Sequence, residues 1–518
     1  MNRNDYQSSM ARAAIVLLAA MFSAATVWAE NVSIGTVAEW NTFAGRVNGG
    51  ETTLGGLLTA DLDFGGETFT VVGTSANPFC GTFDGAGHTV KGITVSKSGD
   101  ISANRQGLFG SVGTGGVVRN VTVTGSSFAG WDYIGGIAGY NQGGTIENCH
   151  VTSSVTIGTT AMSKQYHGGI VGYNSSIYST VSHCTSAAIV TNSEQTSCHN
   201  FGGIVGSNMG GTVEHCLAVG ATVSAVTNSG AIVGQNTGTL SCNYYGNCSV
   251  GEATSSIGTN TGDITTNDGA VPAIILYDHG TEASGNGTTI SANIGSGKNI
   301  ALYGRTLSKS GNWNTLCLPF SLASFIGTPL EGATVKTLGN SGGCTTGFDS
   351  ATGTLTLDFV PANTIDPGVA YIVRWEGSSG TISNPVFSGV TISNEDPADH
   401  CTSSSDKKVS FIGTYSPALL EKDVTTNLFM GAGNTLYYPN VDDFYVNACR
   451  AYFRLDPSAS VKAFVLNFDG GEDPTSIYNS QFIIHNEGSW YDLGGRKLDG
   501  KPSKGGIYIH NGRKEVLK

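Results

Sequence analysis

The sequence predicts an all-β protein in which a right-handed parallel β-helix is followed by an antiparallel β-sandwich and a small C-terminal β tail. Two observations favour a β-rich chain: 74 glycines but only 13 prolines among 518 residues, and apolar residues that occur in short runs. Such a composition is typical of many tight turns between short strands. The third observation is a recurring segment of roughly thirty residues, which is the pattern of a stacked solenoid.

The first 29 residues (1–29) are predicted to be a signal peptide. Arg12 precedes an apolar run that ends in Val27, Trp28 and Ala29, with small residues at the two positions that a signal peptidase reads. The mature chain is therefore expected to begin at Glu30 and to be exported, either to the cell surface in association with the outer membrane or to the medium. No later run is long enough for a transmembrane span.

The net charge limits the classes of binding partner, and the cysteine pattern gives no sign of a metal site. The chain has 26 basic and 39 acidic residues and a net charge of -13, so nucleic acid and anionic membrane surfaces are poor partners. Three of the eleven cysteines, Cys149, Cys184 and Cys216, share one repeat position and are expected to fill the core as small apolar side chains. The sequence contains no CxxC spacing, which would have suggested a metal site. No cofactor is predicted.

The repeat is clearest in "GGIAGYNQGGTIENCH" from Gly135 and "GGIVGSNMGGTVEHCL" from Gly202. A segment that recurs in this way cannot bury its apolar face alone and stacks on its neighbour. In five blocks, an asparagine stands two residues after a recurring glycine, which is Gly139 in the first of these segments. These asparagines are Asn141, Asn174, Asn208, Asn236 and Asn260. Because asparagine tolerates a left-handed turn and its amide can bond an identical amide, we expect a ladder of asparagines along the coils.

Short alternating pieces such as "VVRNVTV" and "TIENCHV" lie between these turns and predict strands. In the second piece, three side chains are expected to face the core: Ile146, Cys149 and Val151. Glu147 and His150 are expected to face solvent, with Asn148 at a bend. One coil of about thirty residues then holds three strands and their turns, and the β-helix is expected to cover residues 30–266.

The open end of the first coil needs a cap, because it would otherwise expose a row of unpaired backbone groups. The segment "TVAEWNTFAGRVN" predicts a helix, with Thr36 as N-cap and Gly49 at its end. Its apolar residues fall on one helical stripe: Val37, Trp40, Phe43, Ala44 and Val47.

The segments "GLFG" at Gly107, "GGIAG", "GGIVG" twice and "GAIVG" at Gly230 resemble the GLUG repeat of bacterial surface proteins. The segment "PFCGTFDGAGHTVKGI" resembles the one that commonly precedes such repeats. The resemblance covers nearly half of the chain and implies a cell-surface or secreted protein of an anaerobic, host-associated bacterium. Proteins of this kind are often called adhesins and are occasionally attached to a peptidase; the resemblance implies no catalytic residues.

Residues 267–468 contain strand-like runs such as "GTLTLDFV" and "VKAFVLNF", separated by glycine, serine, asparagine and aspartate clusters, which predicts the β-sandwich. The pieces "GNWNTLCLPFSL" and "ACRAYFRLD" are similar to segments of surface proteins from the same bacterial lineage. Cys317 and Cys449 lie one in each piece, and their pairing as a disulfide is left open by the sequence.

Residues 469–518 are interpreted as a linker and a basic tail. Within the tail, "YDLGGRKL" and "GGIYI" resemble elements of the C-terminal sorting domain of type IX secretion, which implies the export machinery as a partner. The alternative is a small surface hairpin with solvated lysines.

Catalysis has two candidate settings. Glu147 and Glu214 share a repeat position two coils apart, with Ser182 between them; the expected separation of about 10 Å is near that of the two carboxylates of an inverting glycosidase. Glutamates on a solvent-facing strand are ordinarily only solvated. The segment "GNSGG" from Gly339 to Gly343 fits the pattern of a nucleophile elbow, but no helix is predicted after it, so we interpret it as a turn.

His183 and His215 share another repeat position, which Asn120 and Asn148 occupy in earlier coils. Two histidines could stack or bind a metal together. A series of asparagine and histidine at one bend is better explained as turn filling.

The sequence therefore predicts a non-enzymatic adhesin whose coils present a surface to a host glycoprotein, a matrix protein or a polysaccharide. The candidate ligand-binding residues are the aromatic side chains Tyr140 and Tyr173, at matching turns, and Trp131 and Tyr133, just before one of those turns. Packing of these rings over neighbouring turns is the structural alternative. Two other functions stay open, a polysaccharide-degrading β-helix enzyme and a structural stalk that presents another module.

Overall fold

A computed structural model of the chain describes most of residues 31–468 and four strands near the C-terminus. The described ranges are 31–96, 104–159, 165–192, 198–251, 257–260, 270–341, 344–377, 380–468, 490–491, 497–498, 506–510 and 513–517. The chain forms two compact units, Met1–Ile275 and Leu276–Lys518. The predicted signal peptide and the linker 469–489 lie outside the described residues. Within the described ranges, no helix has both the length and the apolar character needed to cross a bilayer.

The N-terminal unit is a parallel β-helix whose chain visits five parallel sheets in turn, numbered here one to five. Sheet one contains Asn31–Ile34, Gly55–Leu58, Thr82–Asp84, Val117–Arg119, Thr145–Glu147, Thr180–Ser182, Thr212–Glu214 and Thr239–Ser241. Sheet two contains Leu62–Asp63, Thr89–Lys91, Thr122–Thr124, His150–Val151, Thr185–Ser186, Leu217–Val219, Tyr244–Gly246 and Val271–Pro272. Sheet three contains Thr94–Ser96, Ser127–Ala129, Thr156–Thr159, Ile189–Asn192, Thr222–Ser224 and Ser249–Val250. Sheet four contains Ile134–Gly135, Gln165–Gly168, His199–Gly202 and Thr227–Gly230, and sheet five contains Phe109–Val112, Ala138–Asn141, Val171–Ser175, Val205–Met209, Val233–Asn236 and Ile257–Asn260.

The prediction of a parallel β-helix is confirmed, and its repeat alignment matches the strand register. In sheet five, Tyr140 is the Cα partner of Tyr173, and Asn141 is that of Asn174. The expectation of three strands per coil is wrong, since a complete coil has five. One extra strand arises because a left-handed residue divides each predicted piece between sheets one and two.

The left-handed residues between sheets one and two form one row along the β-helix. They are Asn120, Asn148, His183, His215 and Cys242, with φ of 57°, 48°, 53°, 52° and 51°. Asparagine and histidine adopt this conformation more readily than most residues. The interpretation of the histidines as turn residues is therefore confirmed.

The predicted asparagine ladder is present in sheet five. The Nδ2 atom of each side chain donates to Oδ1 of the next, over 2.9 Å from Asn141 to Asn174, 2.8 Å from Asn174 to Asn208 and 2.7 Å from Asn208 to Asn236. All four side chains are fully buried. Contrary to our expectation, these residues lie within strands, at the last or the penultimate position, and have no positive φ. They hold the corner through side-chain bonds instead: Asn141 both accepts from the backbone N–H of Gly144 and donates to its carbonyl.

The recurring glycines mark where sheets four and five lie in backbone contact. A Cβ atom on Gly172 would lie 2.6 Å from the backbone nitrogen of Ile134 and 2.7 Å from the carbonyl oxygen of Gly139. These distances are too short for any side chain. The repeat therefore requires glycine at this position for close approach.

The core of the β-helix consists of columns of inward side chains. Sheet one alone contributes six fully buried residues at one register position: Phe83, Val118, Ile146, Val181, Val213 and Leu240. Cys149, Cys184 and Cys216 form a further buried column, as predicted, and their Sγ atoms face backbone carbonyls. Burial raises the pKa of the Cys149 and Cys216 thiols.

The predicted cap is helix α1, Val37–Asn48. The Thr36 hydroxyl accepts a hydrogen bond from the Glu39 backbone N–H at 3.2 Å, and the Glu39 carboxylate accepts one from Gly35 N–H at 2.8 Å, which is a capping box. The buried face of α1 is the predicted one without the partly exposed Val37. Trp40 packs edge-on against Phe83 at 5.6 Å between ring centroids, so α1 closes the apolar end of the first coils.

The C-terminal unit begins with two short helices, α2 (Gly280–Ala283) and α3 (Asn286–Ala292). A four-stranded sheet contains Ile274–Tyr277, Gly295–Tyr303, Val386–Ile392 and Phe320–Ser321. A seven-stranded sheet contains Asn314–Cys317, Ala370–Arg374, Thr334–Ser341, Thr354–Pro361, Gly347–Asp349, Cys344–Thr345 and Ala463–Asn467. A five-stranded sheet contains Thr402–Ser403, Val409–Gly413, Ala451–Leu455, Asn427–Met430 and Leu436–Tyr437. Two further antiparallel pairs join Thr306–Ser308 to Thr381–Ser383 and Ala418–Leu420 to Phe444–Val446, and Ala432–Asn434 is a 3₁₀ turn.

The seven-stranded and five-stranded sheets pack face to face over one apolar cluster, which confirms the predicted β-sandwich. Phe453 is stacked on Phe411 with ring centroids 4.5 Å apart, and Phe359 of the other sheet meets both rings edge-on. The sheets are antiparallel except for one parallel pair, Thr354–Pro361 with Ala463–Asn467.

Cys317 and Cys449, whose pairing as a disulfide the sequence left open, are neighbours in this unit. The Cys317 backbone N–H donates to the Cys449 carbonyl at 3.3 Å. Both are free thiols in the structure. The predicted β tail is a four-stranded antiparallel sheet of Lys497–Leu498, Trp490–Tyr491, Gly506–His510 and Arg513–Leu517.

Candidate functional site

Two positions of the repeat place four tyrosines beside one another on the outside of the β-helix. Tyr133 and Tyr166 occupy equivalent positions where successive coils enter sheet four, with left-handed φ of 61° and 69°; Tyr133 directly precedes the strand Ile134–Gly135, and Tyr166 is the second residue of Gln165–Gly168. Tyr140 and Tyr173 are register partners in sheet five, each directly after the glycine that contacts sheet four. These glycines have no side chain, so sheets four and five approach each other closely. Tyr133 and Tyr166 therefore reach the tyrosines of sheet five.

We call Tyr133, Tyr140, Tyr166 and Tyr173 the tyrosine cluster. Tyr133 stacks on Tyr166 with ring centroids 5.2 Å apart and planes 7° apart. Tyr140 and Tyr173 are 5.1 Å apart, and Tyr166 meets Tyr173 edge-on at 4.7 Å. The stacking distance is close to the strand spacing of ~4.8 Å, so the rings stack from coil to coil.

All four rings are half-buried, and their hydroxyl groups differ in their partners. The Tyr140 hydroxyl lies 3.1 Å from the Ser175 hydroxyl. Among the described residues, the hydroxyls of the other three have neither a hydrogen-bond partner nor an enclosed position. They reach solvent and are free to bond a ligand.

Burial disfavours the ionisation of three of the four phenols. Burial raises the pKa of Tyr133 and Tyr166, and it raises the pKa of Tyr173 to about 12. The charge of Asp132 raises the pKa of Tyr133 and Tyr166 further. Near neutral pH, these three side chains therefore present neutral hydroxyls that donate as well as accept hydrogen bonds.

Arg105 and Asp132 border the cluster. The guanidinium carbon of Arg105 lies 4.3 Å from the centroid of the Tyr140 ring, and its Nη1 donates to the Ser111 hydroxyl at 2.9 Å. The Asp132 carboxylate accepts from the Gln165 backbone N–H at 2.9 Å. The cation lies over a ring face, which is the favourable geometry for a cation–π contact.

The structure brings three of the four predicted aromatic residues, Tyr133, Tyr140 and Tyr173, into one cluster. Trp131 is half-buried and lies two residues before Tyr133 in the turn that enters sheet four. Sequence reasoning missed Tyr166. Its signal was available, since "QYHGG" aligns with "DYIGG" on the repeated glycines.

The glutamates weighed as a catalytic pair lie elsewhere, on sheet one. Glu147 pairs in register with Ser182, and Ser182 with Glu214, so the two carboxylates are two coils apart as expected. Glu147 is engaged by Arg119, whose Nη1 lies 3.7 Å from its Oε1 and whose Nε lies 3.0 Å from Asp84. The position that Glu147 and Glu214 share is part of a charged outer face of sheet one.

His183 and His215 stack with ring centroids 4.9 Å apart. Burial, and then the neighbouring His183, lower the pKa of His215. In the part of the chain that the structure describes, no group of three or more histidine, cysteine, aspartate or glutamate side chains could hold a metal ion.

Ser341 of the "GNSGG" segment is the last residue of an antiparallel strand, Thr334–Ser341, which pairs with the returning strand Cys344–Thr345. The described residues therefore form a hairpin at this point, where a nucleophile elbow would need a following helix. This agrees with its interpretation as a turn.

Comparison with known proteins identifies one family motif. A family model described as the GLUG motif matches residues 132–156, a segment that includes Tyr133 and Tyr140. The chain therefore contains GLUG-type repeats, as the resemblance in sequence implied. A solved structure from Bacteroides ovatus, described as a putative immunoglobulin A1 protease, matches at 20% identity with a TM-score of 0.33, over 51% of this chain and 88% of that chain. No curated protein sequence matches significantly.

Proposed function

We propose that this GLUG-repeat protein is an exported, non-catalytic adhesin that binds saccharide through the tyrosine cluster. The observation that carries the proposal is the cluster itself: four half-buried rings held by one another, with three hydroxyls free for a ligand. Export is supported by the N-terminal signal pattern and by the resemblance of the repeats to those of surface proteins.

Saccharide suits this surface because sugars present both C–H groups and hydroxyls. A tyrosine offers an apolar ring and a polar tip, and it loses little conformational entropy on binding. Stacking between coils already fixes the orientation of these rings. Such preorganisation lowers the entropic cost of binding.

The non-catalytic part of the proposal is supported by where the carboxylates lie. Glu147 and Glu214 are on sheet one, whereas the tyrosine cluster is built from the turn into sheet four and from sheet five. Glu147 is also engaged by Arg119. A polysaccharide-degrading enzyme would need its acid and base to flank the bound bond.

The test is retention of the mature chain, from Glu30, on immobilised mucins, matrix proteins and polysaccharides, with new saccharide ends measured in the same wells. We expect retention without new ends. The double variant Y133A/Y173A should lose at least about 10-fold in affinity, because interface tyrosines are frequent hot spots. Tyr445→Ala is the matched control, since Tyr445 is 48% exposed in the C-terminal unit and is remote from the cluster in sequence.

New saccharide ends would favour the enzyme alternative, and E147Q and E214Q would then be the first variants to examine. If the chain is retained on none of the immobilised materials, the structural stalk is favoured. Retention that Y133A/Y173A leaves unchanged would move the binding surface away from the tyrosine cluster.

A further inference from the structure

Arg105 extends the row of turn residues that contains Tyr133 and Tyr166. It lies directly before Gln106, which bridges to Ile134 as part of sheet four, and it has the same left-handed backbone, with φ of 65°. Its neighbour Ser111 is the register partner of Tyr140 in sheet five. The tyrosine cluster therefore ends, on its N-terminal side, in a cation.

The guanidinium of Arg105 is not neutralised by a carboxylate. Its side chain bonds the Ser111 hydroxyl and lies over the Tyr140 ring, and among the described residues it forms no ion pair. Its remaining nitrogens have no protein partner and are not enclosed, so they reach solvent. Several N–H donors thus stay available in a fixed fork.

The other described cations of the β-helix contrast with Arg105. Arg46 pairs with Glu51, Lys91 with Asp63, and Arg119 with both Asp84 and Glu147. The corresponding N–O distances are 2.5, 3.1, 3.0 and 3.7 Å. On a protein with net charge -13, Arg105 is the one Lys or Arg without an ion pair among the described residues of the β-helix, and it lies at the edge of the tyrosine cluster.

We propose that the ligand of the tyrosine cluster is an acidic saccharide whose carboxylate or sulfate group binds Arg105. This inference rests on the proposed function and specifies its ligand. Arginine matches the geometry of such anions with two parallel hydrogen bonds. The neutral hydroxyls of Tyr133 and Tyr166 can donate to the sugar beside it.

Asp132 sets the orientation of the ligand. Its carboxylate acts on the pKa of both Tyr133 and Tyr166, and it accepts from the Gln165 backbone. An anionic group would be repelled at that side of the cluster and attracted at the Arg105 side. The acidic group of the saccharide therefore lies over Ser111 and Tyr140.

The experiment measures affinity of the mature chain for matched pairs of saccharides. The pairs are polygalacturonate and its methyl ester, sialyllactose and lactose, and heparin and its desulfated form, which separate uronate, sialic acid and sulfate as sources of the anion. We expect at least about 10-fold tighter binding of the acidic member of one or more pairs, since hydrogen bonds to charged groups are the strong ones. Raising the salt concentration should reduce this preference.

Arg105→Gln should remove the preference and leave the affinity for the neutral member unchanged. Arg105→Lys should keep part of it, because the charge remains while the fork is lost. Arg119→Gln is the matched control, since Arg119 lies on sheet one and is already paired. Circular dichroism and thermal melting of each variant verify that the β-helix is folded.

Equal affinity for acidic and neutral members in the wild-type chain, or a preference that survives in R105Q, would overturn this inference. If acidic and neutral members bind with equal affinity and Y133A/Y173A abolishes the binding of both, the proposed function stands and the acidic ligand is wrong. If no saccharide is retained, both are wrong.

Discussion

The two units of this chain bring strands together in opposite ways. In the β-helix, each strand pairs with the strand one coil away, as Ile146 pairs with Val181, and similar residues repeat along each column. In the C-terminal unit, Thr354–Pro361 pairs with Ala463–Asn467, and the Asn467 amide bonds Asp358 from 109 residues away. The β-helix is held by many similar neighbour contacts, and the sandwich by a few distant, dissimilar ones.

This difference predicts how far the effect of a destabilising substitution spreads in each unit. In a solenoid, stability is close to a sum over repeats and their interfaces, so damage to one coil stays near that coil. In a sandwich, one shared core couples both sheets, so a cavity there weakens the whole unit. Three substitutions test this contrast, and hydrogen exchange read by mass spectrometry reports on each unit separately.

The largest effect is expected from Phe453→Ala in the sandwich. Phe453 is fully buried between Phe411 and Phe359, and removing its ring leaves a cavity that costs about 3–5 kcal/mol. Amide protection should fall throughout residues 276–468 and stay unchanged in the β-helix. The control Tyr445→Ala, at an exposed position, should change stability by less than about 0.5 kcal/mol. A loss confined to the strand of Phe453 would contradict the cooperative sandwich.

A smaller and more local effect is expected from Asn174→Ala. The change removes the middle of the ladder, so that the buried amides of Asn141 and Asn208 each lose one hydrogen bond, at a cost of about 2 kcal/mol. Protection should fall in the adjacent strands of sheet five and persist in coils further away. Asn141→Val, which copies Val112 of the preceding coil, removes one ladder bond and both bonds to Gly144, and its effect should likewise stay near its own coil. Loss of protection along the entire β-helix would show that its coils are not independent.

The smallest effect is a pH dependence centred on His150. Both of its ring nitrogens are enclosed and lack a partner, and burial lowers its pKa in the folded chain. The unfolded chain then takes up a proton first, near pH 6.5, so the β-helix should lose stability as the pH falls from 7.5 to 5.5. His150→Thr, which copies its register partners Thr122 and Thr185, should reduce that slope. A slope equal to that of the wild-type chain would assign the effect to other groups, such as His215.

The environment of His150 also corrects an expectation from sequence. The outward position of Glu147 and the burial of Ile146, Cys149 and Val151 agree with the alternating pattern. His150 is half-buried as a residue, yet its ring nitrogens are shielded from solvent. A two-residue periodicity assigns a side chain to a face of a strand, but it does not show what covers that face.

The tyrosine cluster was partly predictable for a related reason. Tyr140 and Tyr173 share a repeat position, so their proximity follows from stacking alone. That Tyr133 and Tyr166 join them depends on the close contact between sheets four and five, which is made by Gly139 and its equivalents. Sequence periodicity describes neighbours along one sheet, whereas contacts between sheets depend on how each turn directs the chain.

By itself, the sequence determined the stacking of the coils, the asparagine ladder, the capping helix and the division into a β-helix and a β-sandwich. These follow from repeated residues and local patterns, because neighbours in a solenoid are neighbours in the repeat. Only the tertiary structure decided the five strands of a coil, the meeting of Arg105 with the tyrosine cluster, and the pairing of Thr354–Pro361 with Ala463–Asn467. Those contacts join different sheets or distant segments, and a local pattern carries no information about the turn geometry that brings them together.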